Sequence, residues 1–219
     1  ATFTSQEHDL EDYDFNLFVS NEGNFNSNDP SPQCDYGYKA YDHTDIEYEG
    51  HPIYNWVEIN EVGTNLNLTD DSIINDVQIG FNFNYFGETY NSMTVCSNGW
   101  ISLEPCQIAH FWNFSIPNAM GPSAMIAPFM DDLDDNGGTV PFNVYAYNTG
   151  DGRFIIEWDE VLNGEDDQNC PDCINETFQL ILHDPEIYPT STGDGYIIFQ
   201  YKEIHDIDWI NRTITVGPG

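Results

Sequence analysis

The sharpest chemical signal in the chain is the run Asp131-Asp-Leu-Asp-Asp-Asn-Gly-Gly138. Asp132, Asp134, Asn136 and Gly137 follow the spacing D-x-[DN]-x-[DN]-G, the first half of a calcium loop. Alternate oxygen ligands converge on one ion there, and glycine permits the sharp turn. Asp131 and Asp135 stand beside them as assisting carboxylates. The second half departs from an EF-hand. Its twelfth position is Asn143, not a bidentate glutamate, and no helix is expected on either side. The spacing therefore predicts a non-EF loop taking Ca2+, completed by remote side chains or carbonyls. The structural alternative is an acidic turn that caps a strand.

Catalytic chemistry has weaker candidates. Glu157, Asp159 and Glu160 invite comparison with jelly-roll glycosidases, in which two carboxylates flank the sugar bond. Their motif runs E-x-D-x-x-E, and this chain breaks it at Leu162. His110, His183 and His205 have no nucleophile signature such as G-x-S-x-G beside them. No catalytic residue and no organic cofactor are assigned, and the chain is read as a non-enzyme.

The remaining candidate residues concern cross-links, sugars and contacts. Of five cysteines, Cys170 and Cys173 form a lone C-x-x-C in a polar loop, which suits a local disulfide better than zinc or a redox centre. If Asn98-Gly99 is a two-residue turn, Cys96 faces Ile101. Cys96 then reaches Cys106 only if the chain doubles back near Pro105. Cys34 is the other partner for either, and one thiol is left over in every scheme. Sequons stand at Asn67, Asn113, Asn175 and Asn211, close to the number chance would place there. Trp56, Trp112 and the tyrosines 36, 38 and 41 have the chemistry to stack on sugars or on protein.

Charge decides which partners are excluded. The 219 residues hold 38 acids and only four Lys or Arg, a formal charge of −34. Lys39, Arg153, Lys202 and Arg212 cannot neutralise a phosphate backbone, so nucleic-acid binding is excluded. Anionic membrane surfaces repel such a chain, and no apolar run has the roughly 20 residues needed to cross a bilayer. No basic region followed by an apolar stretch opens the sequence at Ala1. A strongly anionic protein stays dispersed in salt and attracts divalent cations. These features fit an acidic, secreted protein of the extracellular space or cell surface.

The elements that would position these residues are strands. Leu, Ile, Val and Phe supply 53 residues, enough for a core. Val, Ile, Thr and the aromatics far outnumber good helix formers. Val77, Ile79, Phe81, Phe83 and Tyr85 alternate with polar or small residues, the mark of a half-buried strand. Met93–Ser97 and Trp100–Leu103 flank Asn98-Gly99 as a hairpin with a primed turn. Val144 and Ala146 share a strand face. Two segments, from Thr149 and from Thr192, each run Thr-Gly-Asp-Gly into a strand, and Phe178–His183 pairs with the second. No helix of ten residues is expected. Residues 1–50 form an acidic N-terminal segment. Within it Tyr13, Phe15, Leu17 and Val19 make one apolar face of a docking or assembly strand. Residues 51–219 form the main domain. The prediction is an all-β, antiparallel β-sandwich, with the N-terminal segment adding a strand.

An ordered series of motifs then resembles a known family. Phe81-Asn-Phe-Asn-Tyr-Phe-Gly87, Val95-Cys-Ser-Asn-Gly-Trp-Ile-Ser102, Ile126-Ala-Pro-Phe-Met-Asp-Asp-Leu133 and Val144-Tyr-Ala-Tyr resemble the nidogen-like extracellular domain. Related modules of large secreted bacterial surface proteins share the series. Phe154–Trp158, Thr177–Leu182 and Thr215–Gly217 look like the later strands of those modules. The match spans about residues 53–217. Met130 stands where the family often has tryptophan, and residues 1–50 lie outside. The resemblance implies a jelly-roll or nidogen-like sandwich with a non-enzymatic role in cell adhesion or assembly. Its partners would be other extracellular proteins, copies of itself, or glycans. Two alternatives stand beside it. One is a subunit of an extracellular filament or sheath joined by exchange of the N-terminal strand. The other is an accessory domain of a secreted protease or glycosidase.

Overall fold

The computed structural model describes residues 29–135, 138, 141–164 and 175–204. The strand expected at Tyr13–Val19, Asn136, Cys170, Cys173, His205 and Asn211 lie outside the described residues. Contact density divides the chain between Ile53 and Tyr54. The described part of the first unit, residues 29–53, is built from turns. Cys34 and Tyr38 close one of them, with the Cys34 N–H donating to the Tyr38 carbonyl at 2.9 Å. Lys39 lies over the rings of Tyr41 and Tyr48 at 5.1 and 5.8 Å.

The second unit is all β, and its described residues contain no helix. Its strands are β1 (Thr64–Asn65), β2 (Ile73–Tyr85), β3 (Glu88–Cys96), β4 (Ile101–Ser102), β5 (Met125–Ile126), β6 (Leu133–Asp134), β7 (Val144–Asn148), β8 (Arg153–Asn163), β9 (Glu176–His183) and β10 (Ile197–Glu203). They make two antiparallel sheets. The larger runs β1-β7-β8-β9-β10, with β6 paired to β8, and the smaller runs β2-β3-β4-β5. This is a β-sandwich, as the alternation of β2 predicts. Ile79 and Phe83 of β2 are buried, while their neighbours Gln78, Gly80 and Asn82 are exposed.

The main core lies between the sheets. Ile79, Phe83, Met93, Val95 and Ile101 meet Val144, Ile156, Trp158, Phe178 and Leu180 there. Trp158 ties the layers together. Its ring stacks on Phe178 at 4.9 Å, and its indole N–H donates to the Cys96 carbonyl at 3.1 Å. Each sheet is also covered on its outer face. Trp100, Cys96, Cys106, Met125 and Met130 cluster under the chain after β4. Ile59 and Val57 cover Ile155, Ile181 and Ile198 on the larger sheet. That second cover explains why β9 is buried along its whole length instead of alternating.

The hairpin between β3 and β4 corrects the expected register. Val95 pairs with Ile101 and Thr94 with Ser102, so Cys96 faces Trp100 and not Ile101. The connection is Ser97-Asn98-Gly99, one residue longer than a two-residue primed turn. Asn98 is not a turn tip in water. It is fully buried, donates to Asp71 Oδ1 at 2.9 Å, and accepts from the Leu133 N–H at 3.1 Å. Gly99 has φ +73°, and a Cβ there would overlap the Phe129 carbonyl, so only glycine fits. The chain does double back after Pro105: the Cys106 N–H donates to Asn75 Oδ1 at 2.9 Å. Cys34, Cys96 and Cys106 are free thiols. Burial pushes the Cys96 thiol up to about 12.

Candidate functional site

The acidic loop enters β6, which pairs with the far end of β8, Leu133 opposite Asn163. Most of its carboxylates serve the loop itself. Asp131 accepts from the Asp132 N–H at 2.8 Å and from Asn163 Nδ2 at 3.2 Å. Asp134 accepts from the Asp135 N–H at 2.6 Å. Asp135 is buried and accepts from the Gly138 N–H at 2.6 Å and the Asp70 N–H at 3.4 Å. The Asp132 carbonyl accepts from Gly164 at 2.8 Å. Its carboxylate stays exposed.

Asp132 meets two acids that the motif did not contain. Carboxylate oxygens of Asp70, Asp71 and Asp132 lie within 4.8 Å of one another. Asp70 and Asp71 sit in the turn Thr69–Ser72 that leads into β2. Asn98 holds that turn and the acidic loop together, since its amide binds Asp71 and its carbonyl binds Leu133 N–H. Partial burial, then the charges of Asp71, Asp70, Asp131 and Asp134, push Asp132 up to about 6. Asp70 is also raised, by burial and then by Asp71, Asp134 and Asp135. The two ion pairs of the described residues, Arg153–Asp151 and Lys202–Glu58, lie on other residues. Calcium–oxygen bonds of about 2.4 Å put ligands on opposite sides of the ion about 4.8 Å apart. The three carboxylates thus have the chemistry and spacing to share one hard cation. Asp134 and Asp135 act on this group through charge and a backbone contact.

The glycosidase-like acids occupy a different place, on the outer face of β8. Glu157 is fully buried, accepts from Gln179 Nε2 and faces the Glu58 carboxyl. Burial, then the neighbouring Glu58, push its carboxyl up to about 8. Burial acts upward on Glu58 too, but hydrogen bonds from Glu157, Lys202 and Trp56 outweigh it and take Glu58 down to about 2. Asp159 is raised by burial and accepts from Asn60 at 3.4 Å. Glycosidase carboxyls stand roughly 5–10 Å apart with the substrate between them. A pair in direct contact under a covering segment does not have that geometry. Glu160 is an exposed bulge residue at φ +52°. His183 is buried between Tyr188 and Tyr196, and burial lowers its basicity. His110 packs on Phe114 and Trp100.

Surface aromatics fall in separate places. Trp112 is 66 % exposed beside Phe111. Trp56 lies under the Lys202 ammonium at 5.3 Å. Tyr36, Tyr38 and Tyr41 belong to the first unit. An open groove of about 630 Å³ at the β2–β3 hairpin is lined by Tyr85, Phe86, Tyr90, Glu88 and Glu104 among others. Asn67 is exposed, whereas Asn113 and Asn175 are half-buried. No described helix is long and apolar enough to cross a membrane.

No curated protein and no solved structure matches the chain. A family model does: the one described as NIDO related matches residues 51–206, the span that holds both sheets, the Asn98 hairpin and the acidic loop. The chain therefore belongs to the nidogen-related family.

Proposed function

We propose that this domain is a non-enzymatic extracellular module for adhesion or assembly, stabilised by Ca2+ at Asp70, Asp71 and Asp132. The family match supports an extracellular type of module. The observation that carries the cation is the convergence of three carboxylates from two loops, both fastened to buried Asn98. An ion there joins the turn before β2 to the loop before β6, so it braces one sheet against the other. A charge of −34 favours divalent cations and disfavours close approach of two copies until that charge is screened. Beads coated with the domain test the reading. They are expected to cluster, or to bind a coated extracellular protein, in calcium and to disperse in chelator. Beads that stay dispersed in both conditions overturn adhesion and assembly. Glycan or peptide turnover that disappears in Glu157→Gln overturns the non-enzymatic reading.

A further inference from the structure

The buried acid Glu157 has no role in the cation site and lies away from it, yet it is placed with care. Residues 54–60 form a strap across the outer face of the larger sheet. Beneath it a row crosses four strands in register: Tyr145 of β7, Glu157 of β8, Gln179 of β9 and Gln200 of β10. The row holds the strap at several points. Gln200 accepts from the Asn55 N–H at 2.7 Å and donates to the Asn55 carbonyl at 3.1 Å. Gln179 donates to the Val57 carbonyl at 2.7 Å, and its same amide nitrogen donates to Glu157 Oε2. Ile59 is fully buried against Ile155 and Ile181. Lys202 reaches up from β10 to Glu58 at 2.9 Å.

One contact in this set needs a proton. Glu157 is fully buried, and its Oε1 meets no N–H or hydroxyl donor. The group it touches is the Glu58 carboxyl of the strap. Two carboxylates in contact repel, and a buried unpaired charge is costly. A neutral Glu157 instead donates its O–H to an ionised Glu58, which Lys202 and Trp56 already favour as the anion. The other groups facing Glu157 agree with that assignment. Asp159 follows on the same face of β8 and adds negative charge. Gln179 is neutral, Tyr145 lies opposite on β7, and Asn60 is occupied with Asp159. Among the described residues Lys202 is the one cation near it, and Glu58 holds it.

We propose that Glu157 is a proton latch: its O–H fastens the 54–60 strap through Glu58, and its loss in alkaline solution unfastens the strap from the sheet. On release the proton passes to water and two carboxylates are left face to face, with Asp159 as a third. The titration of Glu157 near 8 puts this event just above neutrality. Lifting the strap uncovers Ile155, Ile181 and Ile198, an apolar face of the sheet. The latch needs no cation, so it is tested in chelator, where a failure of the calcium reading has no bearing.

The experiment is hydrogen exchange at residues 55–60, corrected for intrinsic rates, from pH 6 to pH 10. Strap opening is expected to rise about tenfold per pH unit from pH 6 up to the titration near 8 and to level off above it. Glu157→Gln keeps the shape and donates an N–H to Glu58 at every pH. It is expected to give a closed strap across the whole range, with wild-type melting at pH 7. Glu58→Gln removes the facing charge and offers an amide N–H to ionised Glu157, so it is expected to flatten the rise with pH. A wild-type strap that stays equally protected at pH 10 overturns the latch. A Glu157→Gln strap that opens with the wild-type pH dependence overturns it as well.

Discussion

Asp132→Asn gives the most direct test of the cation site, because its sign reverses with calcium. In chelator the wild-type carboxylate sits near Asp70, Asp71, Asp131 and Asp134, and its titration moves from 3.8 to about 6. A folded-state value raised above the unfolded one means stability that is complete below about pH 4 and lost as pH rises through 6. Two pH units correspond to about 3 kcal/mol at pH 7. Asp132 is exposed, so water and salt screen most of this, and about 1 kcal/mol is the realistic gain on neutralising it. For a domain of this size that is about 2–4 °C in melting temperature. The asparagine variant is therefore expected to melt higher than wild type in chelator at pH 7, and equally at pH 4. Calcium inverts the order. With a Kd of about 1 mM, common for extracellular modules, about 10 mM calcium stabilises wild type by about 1.4 kcal/mol. The variant has lost a ligand and gains little. Differential scanning calorimetry in four conditions, each protein with and without calcium, measures the cycle. Equal calcium shifts in both proteins refute the site. An asparagine variant that melts lower in chelator refutes the repulsion argument.

Two further outcomes follow from buried groups. Trp158→Phe is expected to destabilise by about 2–3 kcal/mol: about 1 for the space left by the smaller ring, and the rest for the Cys96 carbonyl that loses its donor. Urea unfolding measures it, and a loss below about 0.5 kcal/mol contradicts the bridging role of this indole. His183 is buried with its basicity lowered, and its Nδ1 has no hydrogen-bond partner. Its neutral form contributes stability that is complete above about pH 6.5 and falls away as pH drops through the lowered folded value. Melting of wild type is expected to decline faster than that of His183→Gln below pH 6, and parallel curves would show that the ring bears no such load.

Much of the sandwich was legible because β strands with one wet face write their register in the sequence. Val77 to Tyr85 alternates, and β2 buries Ile79 and Phe83 on one face as that alternation requires. Where both faces are covered the alternation vanishes. Phe154–Trp158 and Phe178–His183 read as strands from their branched and aromatic residues, but nothing local told that Val57 and Ile59 cover them. The Asn98-Gly99 turn was legible as a hairpin and not in its register. The dipeptide permits a two-residue primed turn, and the longer connection is selected by partners 27 and 35 residues away, Asp71 and Leu133. A local rule cannot weigh a side chain that is drawn inward by tertiary contacts.

The candidate sites divide along the same line. A spacing motif reports ligands only when one loop wraps an ion. Here hydrogen bonds to Asn163, Gly138 and backbone amides engage Asp131, Asp134 and Asp135, and Asp132 finds its companions across space. Asp70 and Asp71 had one local mark, a doubled acid before a strand. In a chain with 38 acids that mark has little power to discriminate. Glu157 shows the converse. Its motif context breaks the glycosidase pattern at Leu162, and the residue is fully buried, not a surface acid. Alternation alone places Ile155, Glu157 and Asp159 on one face of β8, and a carboxyl between an isoleucine and a second acid is unusual on a face that is covered. What covers it, and therefore what its proton does, depends on a segment about a hundred residues earlier in the chain. Both proposals rest on acids that folding forces together, Asp132 with Asp70 and Asp71, and Glu157 with Glu58. A cation would relieve the first group and a proton the second. That difference follows from burial. The exposed trio is open to an ion with its waters, while Glu157 is fully buried and only its partner Glu58 reaches solvent.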